Sequence, residues 1–359
     1  GRKFMNRITI NILATLAGLV FSPAISADGD GSVSLDEAAE RYVRLVLAMG
    51  EHDASYVDAY YGPARWREDA AAATPDLETI SGRARALQES LQDTSADCGS
   101  DGYLRRSYLA IQLGSLAAYA DSKAGDGFES FDAEALALYD TQPPVRELSG
   151  FDGILAQLDE LLPGEEPLHE RVSQFTRQYE IPPDRLDAVF KNAIEACRER
   201  TLPYIALPAN EDFVLEYVTD VPWGAYNWYQ GNAHSLIQVN TSFPLFIDRA
   251  IDLGCHEGYP GHHVYNALLE EEFVNQRGWM EFSVYALFSP QSLIAEGTAN
   301  YGVDLAFPGD EKLEYEKSHL YPLAGLDPST AEQYRQFREI SAELTYARNE
   351  VARLFAVGE

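Results

Sequence analysis

Basic residues, cysteine and long apolar runs are all scarce in this chain of 359 residues. Only 27 Lys and Arg stand against 57 Asp and Glu, a formal charge of −30. That balance argues against nucleic acid as a partner, because phosphate contacts need clustered Lys and Arg. Three cysteines, Cys98, Cys197 and Cys255, allow one disulfide at most and so exclude a disulfide scaffold. For an exported chain the expected pair is Cys98 with Cys197, with Cys255 packing as a small buried hydrophobe. Beyond the N-terminal stretch no segment approaches about 18 uninterrupted apolar residues, so no membrane span is expected there.

Histidine is scarce as well, with seven in the chain, yet three of them, His256, His262 and His263, fall within eight positions. The segment reads Cys255-His256-Glu257-Gly258-Tyr259-Pro260-Gly261-His262-His263. Neutral imidazoles are the commonest zinc ligands, and a glutamate beside the first one is suited to act as general base toward water activated by the metal. The spacing departs from the familiar His-Glu-x-x-His, whose histidines share one helical face. On an unbroken helix, positions six apart are separated by a rise of roughly 9 Å and a rotation of about 240°. Two ligands of one ion cannot sit that way, so the helix must break between His256 and His262. Gly258, Pro260 and Gly261 are residues that break helices. The bend angle is not readable from sequence, and His263 stands as an alternative ligand to His262.

A zinc hydrolase needs a third protein ligand while keeping one position open. Glu296 is the candidate, in a helix with Ser289 as N-cap and Pro290 as first residue. An ionised glutamate among Leu293, Ile294 and Ala299 is expensive to bury unless it is paired or bound to metal. The competing readings are a polar turn at the histidines and a core glutamate paired with Arg or Tyr.

His256-Glu257-x-x-Pro260-Gly261-His262-His263, followed by Glu296-Gly297-x-Ala299-x-Tyr301, resembles the bacterial domain of unknown function 885 family. The segments from about Trp223 to Tyr301 and Tyr56 to Pro63 share that resemblance. It implies a mostly helical zinc metallopeptidase loosely akin to the gluzincins, with His256, His262 and Glu296 on one zinc ion and Glu257 as general base. It also implies Tyr346 as the residue that stabilises the oxyanion. The family usually has Trp two residues beyond the ligand glutamate, where this chain has Thr298, so packing behind the ligand is expected to differ. Family members run on past the equivalent of Glu359, and the helix read over Glu339 to Phe355 has only Gly358 as a stop signal, which raises the expectation of a truncated C-terminus.

Met5 to Ala27 reads as a secretory signal peptide, with Arg2, Lys3 and Arg7 ahead of an apolar run and a small-residue end at Ser22-Pro23-Ala24-Ile25-Ser26-Ala27. Its removal takes away basic residues only and implies a periplasmic or extracellular protein without a membrane span. The remainder divides into an N-terminal helical region over 28–202 and a metal-site region over 203–359, which together are long enough for one compact domain. The fold expected is mainly α, a large multi-helix fold with a small β-hairpin or edge strand beside the metal-site helices. Helices are expected from Ala38, after the capping box Ser34-Leu35-Asp36-Glu37, to Met49, and at Ala54–Tyr61, Glu78–Leu91, Tyr103–Ala120, Ala133–Tyr139, Phe151–Leu162, Leu168–Tyr179 and Pro183–Arg200. Phe213–Val218 and Ser235–Asn240 read as strands, the second placed to hold an extended substrate at a sheet edge. Trp223, Tyr226, Trp228 and His234 are expected in the lining of a cleft.

The function that follows is hydrolysis of a peptide, or of another small amide or ester, by a zinc-activated water. A secreted metal-binding protein without turnover is the alternative outside enzymology.

Overall fold

Capping, amphipathic spacing and aromatic strands build an architecture that is mainly α with two small sheets. The computed structural model describes residues 33–91, 98–356 and 358; the proposed signal peptide at Met5–Ala27 lies outside them. From Val33 onward the described residues belong to one unit. No helix among them is long and apolar enough to cross a membrane.

Helix α1 (Leu35–Gly50) opens at Ser34, whose side chain accepts from the Glu37 amide. It buries Tyr42, Val43, Val46 and Met49 and packs with α2 (Ala64–Ala73), α3 (Leu77–Ser90) and α4 (Asp101–Ala124). Short strand β1 (Val57–Tyr60) lies between α1 and α2, where the sequence suggested a helix over Ala54–Tyr61. The reason is distant in the chain: β1 pairs antiparallel with β5 (Val284–Ala286), so Tyr60 faces Val284 across a ladder that no local pattern reveals. Tyr56 and Ala59 are buried by the pairing. Helix α5 (Phe131–Tyr139) completes this first core, to which Val284 and Ala286 also belong.

The second core surrounds α6 (Asp152–Leu161), α7 (Leu168–Arg177) and α8 (Leu186–Thr201), and it runs on through α9 (Asp248–Leu253), α10 (His262–Leu268), α11 (Pro290–Ala306), α12 (Glu311–Tyr315), α13 (Tyr321–Ala324) and α14 (Ala331–Ala342). Residue 202 is therefore no seam, since Phe190 and Ile194 share this core with Ile247 and Tyr259. Helix α15 (Ala347–Ala356) follows a short 3₁₀ turn, Glu343–Tyr346. Buried Glu281 receives Arg105 of α4 at both oxygens, Nε at 2.5 Å and Nη2 at 3.0 Å, which ties the segment before β5 to the N-terminal helices.

The larger sheet contains β2 (Asp212–Val218), β3 (Ala225–Gly231) and β4 (His234–Asn240), in the order β2-β4-β3. Both expected strands are present, and β3 and β4 form a hairpin. Ser235–Asn240 is not an edge strand, however: β4 is central, parallel to β2 and antiparallel to β3. Ser235, Ile237 and Val239 point to a buried face, which explains why this strand was worth enclosing.

The disulfide joins Cys197 to Cys255, not Cys98 to Cys197. Cys98 is free and exposed, while α8 lies directly against the turn that carries Cys255. Packing of α8 on that turn, not distance along the chain, selected the pair.

Candidate metal centre

Helix α9 continues into a wider π turn over Gly254–Gly258 before the chain turns extended at Tyr259. Pro260 follows through a cis peptide, and α10 starts at His262. Gly261 permits this bend by close approach: a Cβ there would lie 1.8 Å from the His256 carbonyl oxygen and 2.4 Å from that of Cys255. No side chain fits.

The bend brings His256 Nε2 to 3.1 Å from His262 Nε2. Glu296 of α11 reaches both rings, Oε2 lying 3.4 Å from His256 Nε2 and Oε1 3.3 Å from His262 Nε2. The two ring nitrogens thus lie 3.1 Å apart, and each faces a different oxygen of the one Glu296 carboxylate at 3.3 to 3.4 Å. Tetrahedral zinc with ligands at about 2.0–2.1 Å has donors roughly 3.3 Å apart, so the donor set fits that ion. His256 Nδ1 faces Asn300 Oδ1 at 3.1 Å, so that nitrogen donates and leaves Nε2 with a lone pair. Glu257 joins the same cluster, its carboxylate within 4.8 Å of the ring nitrogens of both histidines.

Glu296 is not buried among apolar neighbours as its sequence context suggested. Its side chain is half exposed, and Leu293 and Ile294 face solvent, because α11 buries Ala295, Ala299 and Gly302 instead. Ser289 does precede the helix and Pro290 does begin it, but the Ser289 hydroxyl donates to the Ala286 carbonyl at 2.7 Å and makes no cap bond. His263 points away from the cluster. It is fully buried, with Nδ1 2.8 Å from Ser235 Oγ and Nε2 3.2 Å from Glu211 Oε2, so His262 and not His263 faces Glu296.

Glu211 is the hub behind the bend. Its carboxylate accepts from Tyr259 Oη at 2.5 Å and from Arg198 Nη2 at 2.7 Å. Burial alone would raise this carboxyl, but hydrogen bonds from Tyr259, Arg198 and His263 outweigh it and hold the group below its ordinary range. Burial lowers His263, which keeps the ring neutral between its partners.

A cavity of about 140 Å³ opens beside the cluster. Glu257 stands in its wall, its carboxyl pushed up mainly by burial and held back by the charges of His262 and His256. Asp58 of β1 enters the wall too and accepts the hydroxyl of Tyr226. Burial pushes Asp58 up to about 6 against that hydrogen bond. His262 lies above its ordinary value because Glu296 and Glu257 outweigh the effect of burial. Glu296 lies well below its own, held there by the His256 and His262 rings beside its carboxylate.

Tyr346, the expected oxyanion donor, is not in this wall. It is exposed under the Arg146 guanidinium, 3.7 Å from the ring centre, in the 3₁₀ turn that precedes α15. The phenols present are Tyr226 and Tyr285, and burial drives both well above their ordinary value. Tyr226 is the one aromatic of the Trp223–His234 stretch in the wall. Trp228 instead gives its Nε1 hydrogen to Gln238 Oε1 at 2.9 Å, and His234 Nδ1 meets the Asn232 carbonyl at 2.6 Å. Asp58, Asn227, Asn266, Tyr285 and Asn300 escaped the sequence reading. Two had a signal: Asn266 and Asn300 each follow a site residue by four positions on one helix face.

No family model and no curated protein matches the sequence. Among solved structures, the chain is similar to the putative lipoprotein from Colwellia psychrerythraea, with a TM-score of 0.38 and 13% identity over 91% of this chain and 68% of that one. A likeness that slight bears on neither fold nor function.

Proposed function

We propose that this protein is an exported zinc-dependent hydrolase acting on peptides, a remote relative of the domain of unknown function 885 family. The observation that carries the reading is the convergence of His256 Nε2, His262 Nε2 and the Glu296 carboxylate, with neighbouring donors 3.1 to 3.4 Å apart, and a buried glutamate next to them.

His256, His262 and Glu296 would hold the ion, and its chemistry there is Lewis acidity toward a water and a carbonyl. Glu257 takes a proton from the attacking water and returns it to the leaving amine. Burial raises its carboxyl above the ordinary carboxylate range, the direction that strengthens a base. Tyr226 keeps its proton and stands in the wall, so we assign it in place of Tyr346 as donor to the carbonyl oxygen, its hydroxyl turning from Asp58 to the substrate when that enters. Strand β3 contributes Ala225, Tyr226 and Asn227 to the wall and takes the place at the sheet margin that Ser235–Asn240 was expected to occupy. A peptide lying along β3 would present its carbonyl toward Glu257.

The test is the metal content of purified protein by mass spectrometry, combined with peptide hydrolysis. Wild type is expected to hold one zinc and to cleave peptides. His262→Ala should lose the metal, and Glu257→Gln should keep it and lose turnover. Wild type without zinc after reconstitution would sink the proposal.

A further inference from the structure

We infer that the small cavity binds a primary ammonium group, the free amino terminus of a peptide substrate, with Asp58 as its counter-ion; the inference rests on the peptidase reading above.

The wall offers acceptors. Asn227 and Asn266 are 5% and 2% exposed. Each commits its amide nitrogen to the bend, Asn227 Nδ2 to the Glu257 carbonyl at 2.6 Å and Asn266 Nδ2 to the His262 carbonyl at 3.1 Å. Both amide oxygens are left buried without a partner. An unpaired buried acceptor costs about 1–3 kcal/mol, so two in one wall point to a donor supplied from outside the protein. The local hydroxyls do not supply it, because Tyr226 donates to Asp58 and Tyr285 donates to Ser292 Oγ at 3.2 Å.

Charge leads the same way. Asp58, Glu257 and Glu296 stand in this wall, and among the described residues no Lys or Arg does. With a divalent ion on the histidines, three carboxylates still leave one negative charge over. An ammonium neutralises it and offers three N–H donors in one compact group. A peptide carboxylate entering the same space would meet the like charge of Asp58 and Glu257.

Size and neighbours favour the amino terminus as the source. The cavity holds about 140 Å³, room for an ammonium and a small side chain. A second cavity of about 490 Å³ shares His256, Glu257 and Ala225 with the first. The amino-terminal residue fits the small space, and the rest of the chain leaves through the large one.

Calorimetric titration of zinc-loaded wild-type protein, with the peptide bonds of every probe N-methylated so that none is turned over and all three carboxylates are kept, tests this with three probes: trialanine, N-acetyltrialanine, and an N-acetylated tripeptide with lysine in the middle. Trialanine should bind at least about tenfold more tightly than its acetylated form, and adding Asp58→Asn should abolish that advantage. Equal binding of the free and acetylated peptides overturns the inference, and this contrast needs no change at Asp58. Preference for the acetylated lysine peptide overturns the amino terminus as the source and transfers the ammonium to a side chain. If trialanine is preferred but wild type neither retains zinc nor cleaves the unmethylated peptide, the hydrolase reading fails and the ammonium site stands.

Discussion

His256 and Asn300 meet across the gap between the bend and α11, ring Nδ1 to amide Oδ1 at 3.1 Å. This contact sets which imidazole nitrogen carries the hydrogen and so which one is free to bind an ion. Partners of this kind typically affect metal affinity by about 10- to 100-fold. Asn300→Ala should weaken zinc binding within that range in a competition titration against a chelator, with little change in thermal stability of the metal-free protein. Unchanged affinity would refute the orienting role.

Tyr226→Phe should lower kcat by about 10²–10³ and leave KM nearly unchanged, as loss of one preorganised oxyanion donor does. Tyr346→Phe should leave both constants alone, since that ring lies under Arg146 outside the cavity. The reverse result would restore the assignment made from family resemblance.

The Cys197–Cys255 bridge closes a separation of 58 residues and holds the residue before His256 against α8. Closing a loop of that length constrains the unfolded chain by about 4 kcal/mol in the chain-entropy model. Cys197→Ser should lower Tm by several degrees and weaken zinc binding along with it. Alkylation of the free, exposed Cys98 should alter neither.

Glu316 has a buried carboxylate oxygen without a hydrogen bond, and Lys312 Nζ is 4.0 Å from it. Burial pushes this carboxyl from an ordinary value of 4.5 up to about 7, with Lys312 opposing. Between those values the unfolded chain has released the proton and the folded chain keeps it, so stability falls as pH rises through the window. The loss is at most roughly 3 kcal/mol. Glu316→Gln should therefore gain stability over wild type in urea unfolding at pH 8 and much less at pH 5. A difference independent of pH would refute the assignment.

Local signals were legible in the sequence where local physics decides them. Ser34 and Pro290 mark helix starts, and Gly258, Pro260 and Gly261 announce a break whose purpose follows from two histidines six apart. What could not be read depends on partners far along the chain. Strand β1 is a strand because β5 lies beside it, and Asp58 reaches the cavity only through that pairing. The disulfide follows α8 packing, and β4 became central because β2 joined it in parallel. Tyr346 was placed by resemblance alone, and no local pattern corrected it.

The pairing of β1 with β5 also sets an order of assembly. Strand β5 leads directly into α11, so the helix that presents Glu296 is anchored to a strand more than two hundred residues earlier. His256 and His262 can come together within their own bend, but the third donor takes its place only after these two distant stretches of the chain have met. Closing such distant contacts is the slow part of folding. A metal ion held there would therefore bind a pocket already built rather than nucleate the fold, and its uptake would report that the two cores have closed.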